Sequence, residues 1–101
     1  MNPKKFYIKK IDNDLTLTPF TKQVLKIVTT IPKGETRSYA WVAQKLGIKA
    51  YRAVGQALKK NPYAPNVPCH RVIASNGSIG GYFAGFAYKK ELLRKEGIKC
   101  F

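Results

Sequence analysis

Between Thr18 and Pro32, apolar residues return every three or four positions: Phe20, Val24, Ile27, Val28 and Ile31. That spacing puts them on one face of an α-helix and predicts a helix through TPFTKQVLKIVTTIP. Thr18 suits the N-cap, and Pro19 suits the first helical position, where a missing N–H loses no bond. Pro32 and Gly34 then end the segment in a turn. Ser38 is placed to cap a second helix, YAWVAQKLG, which stops at Gly47. A connector, Ile48 to Ala50, leads to a third, YRAVGQALKK, with Val54, Ala57 and Leu58 inward and its end at Asn61-Pro62. Two short helices split by a Gly-containing turn have the form of a helix-turn-helix, whose second helix normally enters a DNA groove. An αα-hairpin buried in a core has the same pattern.

The flanks read differently. Residues 1–18 form a short lead-in, with KFYIKKI expected as an extended or β segment. NPYAPNVP carries three prolines between Pro62 and Pro68, so it is stiff and delivers Cys69 at a fixed place. SNGSIGG is a Gly-rich loop suited to a wing or the lip of a pocket. FAYKKELLRKE predicts a last amphipathic helix with Phe86, Leu92 and Leu93 inward, closed by Gly97. The expected fold is mainly α: one small helix-turn-helix domain, winged-helix-like, over residues 19–101, with an extended N-terminal segment and a Gly-rich active-site loop. The 101 residues suffice for one domain. No run approaches the roughly 18 apolar residues of a membrane span, so a soluble, cytoplasmic protein without a membrane partner is expected; it is also expected to be a monomer.

Charge changes the picture. Nineteen Lys and Arg face five Asp and Glu, a formal net charge of +14. From Thr36 to Lys90 there is no acidic residue, while nine cations fall in the same span. Such a domain attracts polyanions, and its binding should weaken steeply with salt. The third helix is sparsely decorated, however. Arg52 and Gln56 are the side chains suited to reading base edges, while Ala50, Ala53 and Gly55 leave other positions nearly bare. A slim helix suits close approach to the backbone or minor groove, where sequence readout is poor.

The remaining chemistry centres on PCHRV. One histidine and two distant cysteines, Cys69 and Cys100, form no metal-ligand pair, so neither metal nor cofactor is expected. A cysteine attacks as the thiolate, which a cationic setting or a histidine base favours. His70 adjoins Cys69, but neighbouring side chains diverge, so a bridging water suits the pair better than direct contact. Glu91 and Glu96 are the carboxylates available to orient the imidazole.

The blocks GETRSY, YRAVGQALKKNP, PCHRV followed by GSIGGY, and LLRKEG, in that order from about Pro19 to Gly97, resemble the C-terminal, active-site domain of the O6-alkylguanine-DNA alkyltransferases. The resemblance implies minor-groove binding of double-stranded DNA, eversion of an O6-alkylguanine, and irreversible transfer of its alkyl group to Cys69. It implies that His70 takes the thiol proton through a water and that Glu96 orients His70. Arg52 would fill the gap left by the flipped base, Tyr39 would contact the base and crowd its phosphate, and Asn61 would brace the turn holding the nucleophile. Val72, Tyr82 and Phe83 would line the pocket, and Lys49, Ala53, Gln56 and Arg71 would join Arg52 and Tyr39 at the DNA. Phe83 and Ala84 stand where relatives often have Ser and Gly, which bears on pocket size. The family often carries a preceding domain, whereas about twenty residues precede the resemblance here. Two rivals stand beside this reading: a lesion sensor of the alkyltransferase-like kind, which lacks the reactive cysteine, and a helix-turn-helix regulator indifferent to Cys69. The repair reading requires the sulfur to face a cavity open toward the arginine-bearing helix.

Overall fold

Thr18 accepts a hydrogen bond from the Thr21 N–H at 3.2 Å and starts the first long helix of the family-like region, with Pro19 in its first turn. The computed structural model describes residues 3–63, 66–74 and 86–98. In chain order it comprises α1 (Pro3–Asp12), α2 (Pro19–Val28), β1 (Arg37–Ser38), α3 (Tyr39–Lys45), α4 (Tyr51–Lys59), a 3₁₀ turn (Cys69–Arg71), β2 (Val72–Ile73) and α5 (Phe86–Lys95). The described chain is mostly helical; α3 and α4 stand where the sequence puts them, and α2 ends at Val28, short of the expected stop at Pro32.

The N-terminal segment differs from expectation. KFYIKKI is part of α1, not a strand. Tyr7 and Ile11 lie four residues apart and therefore share a helical face. Ile11 is fully buried in the same core as α2, and Tyr7 packs against that core with its ring 6.2 Å from Tyr63. Packing of that face overrides the aromatic and β-branched local preference. In the last helix Leu93 is buried and Leu92 half-buried. The Gly-rich loop, Tyr82, Phe83, the Phe86 side chain and Cys100 lie outside the described residues.

The core is built from Val24, Leu25 and Val28 of α2, Val42 and Ala43 of α3, and Val54, Ala57 and Leu58 of α4. Each buried Val or Leu side chain is worth about 1.5–3 kcal/mol over an exposed one. Gly47, at φ +73°, lets the chain reverse between α3 and α4, a left-handed conformation that side chains resist. β1 and β2 pair in parallel, Arg37 beside Val72 and Ser38 beside Ile73. That short ladder sets the start of α3 against the residues just after Cys69, which brings Tyr39 to the thiol. Among the described residues no helix is long and apolar enough to cross a membrane.

The Ser38 hydroxyl accepts the Trp41 N–H at 2.9 Å and so caps α3. Ser38→Ala is expected to cost about 1 kcal/mol, read as a lower denaturant midpoint with an unchanged slope. An unchanged midpoint would remove the cap from the account of α3.

Candidate active site

Cys69 opens the 3₁₀ turn, and only 2% of it reaches solvent. Part of its environment is apolar core, including Val67 and Val72. Its other neighbours are polar: the Tyr39 phenol and the Lys89 ammonium both lie within electrostatic reach of the sulfur. The thiol is therefore neither a surface reagent nor sealed in hydrocarbon alone.

His70, also 2% exposed, points its Nε2 at Glu96 Oε2, 2.9 Å away. Arg71 grips the same carboxylate twice, Nε to Oε1 at 2.9 Å and an Nη to Oε2 at 2.8 Å. Burial acts to raise the Glu96 pKa, but the hydrogen bonds from Arg71 and His70 outweigh it and bring it down to about 2. Glu96 is thus ionised at neutral pH and can only accept. The donor in the His70–Glu96 bond must then be Nε2–H. Burial is the largest influence on His70 and lowers its pKa below 6.5, against the pull of Glu96, so the ring is neutral at pH 7. Its basic lone pair sits on Nδ1, a buried atom with no hydrogen-bond partner among the described residues. Glu91, by contrast, pairs with Arg94 on the surface.

Lys89 is the residue that sequence reasoning missed. Its side chain is 1% exposed, its Nζ donates to the Val72 carbonyl at 2.8 Å, and it lies 5.8 Å over the Tyr39 ring. Burial lowers its pKa from 10.5 to about 8, while the charge of Cys69 acts to raise it. That coupling is mutual, so the ammonium favours the thiolate. The folded chain binds fewer protons than the unfolded chain between pH 8 and 10.5. The penalty for burying the ammonium, on the order of 3 kcal/mol, is therefore full below pH 8 and vanishes above 10.5. Burial also raises the Tyr39 pKa, as does Cys69 to a lesser degree, so that phenol keeps its proton. A buried lysine one place from the exposed Lys90 has no distinguishing sequence signal; only its position on the inward face of α5 could have found it.

Asn61, 5% exposed, donates from Nδ2 to the Val67 carbonyl at 2.8 Å, and its Oδ1 accepts the Tyr63 N–H at 2.9 Å. It ties the turn that leads to Cys69 into one shape. On α4, Arg52 and Gln56 are exposed and Ala53 half-buried, with Lys49 exposed just before the helix. No described atom lies within 4 Å of a Cβ built on Gly55, so packing does not demand a glycine there. Arg71 faces inward: three of its donors serve Glu96 and the Ile31 carbonyl, and 15% of its side chain is exposed. The Val72 side chain is fully buried in the core, and its carbonyl accepts from Lys89.

Residues 19–98 match the family model described as the DNA-binding domain of 6-O-methylguanine DNA methyltransferase. A methylated-DNA–protein-cysteine methyltransferase of Methanocaldococcus vulcanius is 51% identical over 89 residues, covering 88% of this chain and 54% of the relative. Its counterpart from Methanosarcina mazei is 50% identical over 80 residues, covering 78% of this chain and 51% of the relative. The chain thus spans about half the length of the curated relatives it matches. Among solved structures, Mycobacterium tuberculosis OGT in complex with DNA superposes with a TM-score of 0.76 at 49% identity, covering 78% of this chain and 50% of that one. S. pombe Atl1, in complex with damaged DNA containing O6-carboxymethylguanine, superposes at 0.71 and 36% identity, covering 79% of this chain and 77% of that one. By a family match over most of its length and a shared fold at close to half sequence identity, this chain belongs to the 6-O-methylguanine DNA methyltransferase family, in its DNA-binding domain.

Proposed function

We propose that the protein repairs O6-alkylguanine in duplex DNA by moving the alkyl group irreversibly to Cys69, each molecule acting once. The chain then corresponds to the C-terminal, active-site domain of the alkyltransferases, a helix-turn-helix unit working as a monomer. The observation that carries this reading is the carboxylate-held imidazole: an ionised Glu96 fixes the His70 tautomer and leaves Nδ1 as a bare base on the residue next to Cys69. A structural cysteine has no use for that arrangement.

In the proposed step the thiol proton passes through one water to His70. Sulfur attacks the alkyl carbon in line as the carbon–oxygen bond breaks, and the electron pair returns to guanine. One proton taken up by guanine balances the one lost by the thiol. Lys89 stabilises the thiolate, and protonated Tyr39 offers its hydroxyl to the base. On the DNA side, Arg52 replaces the everted base and offsets an unstacking cost of a few kcal/mol. Lys49 and Gln56 flank it, while Ala53 and Gly55 let the helix approach closely. Tyr82 and Phe83 are assigned to the pocket wall on the family pattern alone.

A second reading is recognition of the lesion without reaction, beside the likeness to the S. pombe protein held in complex with damaged DNA. Intact-protein mass spectrometry separates the two. One equivalent of duplex bearing a single O6-methylguanine is expected to add one methyl to Cys69 in a one-to-one burst, and Cys69→Ser to bind without transfer. Binding by an unmodified wild type after long incubation would decide for the sensor.

The transfer rate should fall on acidification with a midpoint below pH 6.5, because burial lowers the pKa of His70 below its ordinary value. A decline centred above 6.5 would exclude neutral His70 as the base. Gly55→Ala is expected to stabilise α4 by about 0.5–1 kcal/mol yet weaken DNA binding several-fold, by denaturant unfolding and fluorescence anisotropy. Unweakened binding would take Gly55 out of the DNA interface.

A further inference from the structure

We infer that Asp14 and Tyr63 are positioning residues for Cys69, joined to it by a hydrogen-bonded brace that begins outside the family-matched region. The inference rests on the transfer reading above.

The brace can be followed atom by atom. Asp14, just beyond α1, is held by its own loop: Oδ1 accepts the Thr16 N–H at 2.8 Å and the Thr16 hydroxyl at 2.5 Å. Its second oxygen, Oδ2, accepts the Tyr63 hydroxyl at 2.6 Å, a contact between residues 49 positions apart. Tyr63 passes the constraint inward through its backbone, with its N–H on Asn61 Oδ1 at 2.9 Å and its carbonyl accepting the Val67 N–H at 3.0 Å. Asn61 Nδ2 then holds the Val67 carbonyl at 2.8 Å, and that same carbonyl accepts the Cys69 N–H at 2.8 Å.

Asn61 is thus the inner half of a clamp on residues 61–69, and the Tyr63–Asp14 pair is the outer half. The outer anchor is itself fixed to the body. Tyr7 packs near the Tyr63 ring, Ile11 is buried in the core, and Asp12 bonds Lys26 of α2 at 2.8 Å. The mutual bond leaves its mark on both partners. After Thr16, Tyr63 is the next influence lowering the Asp14 pKa, and Asp14 is the first raising that of Tyr63. The phenol therefore stays a donor and the carboxylate an acceptor. In-line displacement is sensitive to placement: about 1 Å of misplacement can cost on the order of 100-fold in rate. A turn free at Tyr63 would keep Asn61 but lose its outer stop.

The test is single-turnover methyl transfer from duplex DNA containing one O6-methylguanine, over a range of DNA concentrations at 25 °C, with thermal melts alongside. Tyr63→Phe keeps the ring against Tyr7 and deletes the donor. It should lower the saturating rate about 5–20-fold while the half-saturating DNA concentration stays within about twofold. Asp14→Ala should do the same, Asp14→Asn should recover part of the rate, since its one acceptor oxygen can serve Tyr63 or Thr16 but not both, and the double variant should be no slower than the slower single. Leu15→Ala, at a residue 96% exposed beside the brace, should match the wild type. Variants that transfer at the wild-type rate, or that lose rate and DNA affinity together in step with a lower melting temperature, would overturn the brace. A wild type that accepts no methyl overturns the transfer reading beneath it, and so the two failures are told apart.

Discussion

One half-buried carboxylate organises the site. Glu96 stands just past the end of α5, where it meets His70 and Arg71 of the 3₁₀ turn, and Arg71 reaches on to the Ile31 carbonyl at 2.8 Å. The last helix, the Cys69 turn and the chain beyond α2 are therefore fastened at a single point. Such an arrangement is stable only if the carboxylate stays ionised, since removing one partner from a buried ion group leaves the others uncompensated. The hydrogen bonds of Arg71 are the first of the influences that keep it so, followed by that of His70. The same ionisation dictates which nitrogen of His70 carries the proton, so a structural clamp and a chemical poise are one interaction.

A second constraint acts against stability. Lys89 keeps an ammonium ion in the interior beside Cys69 and Tyr39, where a Met would fill similar space without a charge to desolvate. A protein selected for packing alone has no reason to retain it. Sites that shift pKa values by burial and specific partners are where chemistry is done, and here Lys89, His70 and Glu96 are all shifted within one small region. The sparse surface of α4 follows the same logic, since Gly55 weakens a helix that no described neighbour requires to be bare.

Most of the helical frame was legible in the sequence because its signals are local. Thr18, Ser38 and Gly47 mark helix ends by side-chain capping or backbone freedom, and Val24, Val54 and Leu58 mark inward faces by spacing. Nonlocal features were not legible. Local preference made KFYIKKI read as a strand, whereas burial of Ile11 against α2 makes it a helix. The two-residue ladder of β1 and β2 carries no periodicity to detect. Arg71 read as one more cation in a basic stretch until its guanidinium was found facing Glu96. Lys89 and Tyr63 were equally silent, since burial and a partner 49 residues away leave no trace in composition. The family resemblance supplied Cys69, His70 and Glu96 together, which spacing alone could not join.

The account depends on His70 being neutral with its proton on Nε2, so that Nδ1 is free to act as base. Nitrogen-15 NMR of the labelled imidazole, followed from pH 5 to 8, tests this without DNA or reaction. The account predicts the Nε2–H tautomer as the main form at pH 7, with the midpoint of ring protonation below pH 6.5. A ring protonated at pH 7, or a neutral ring with its hydrogen on Nδ1, would contradict it.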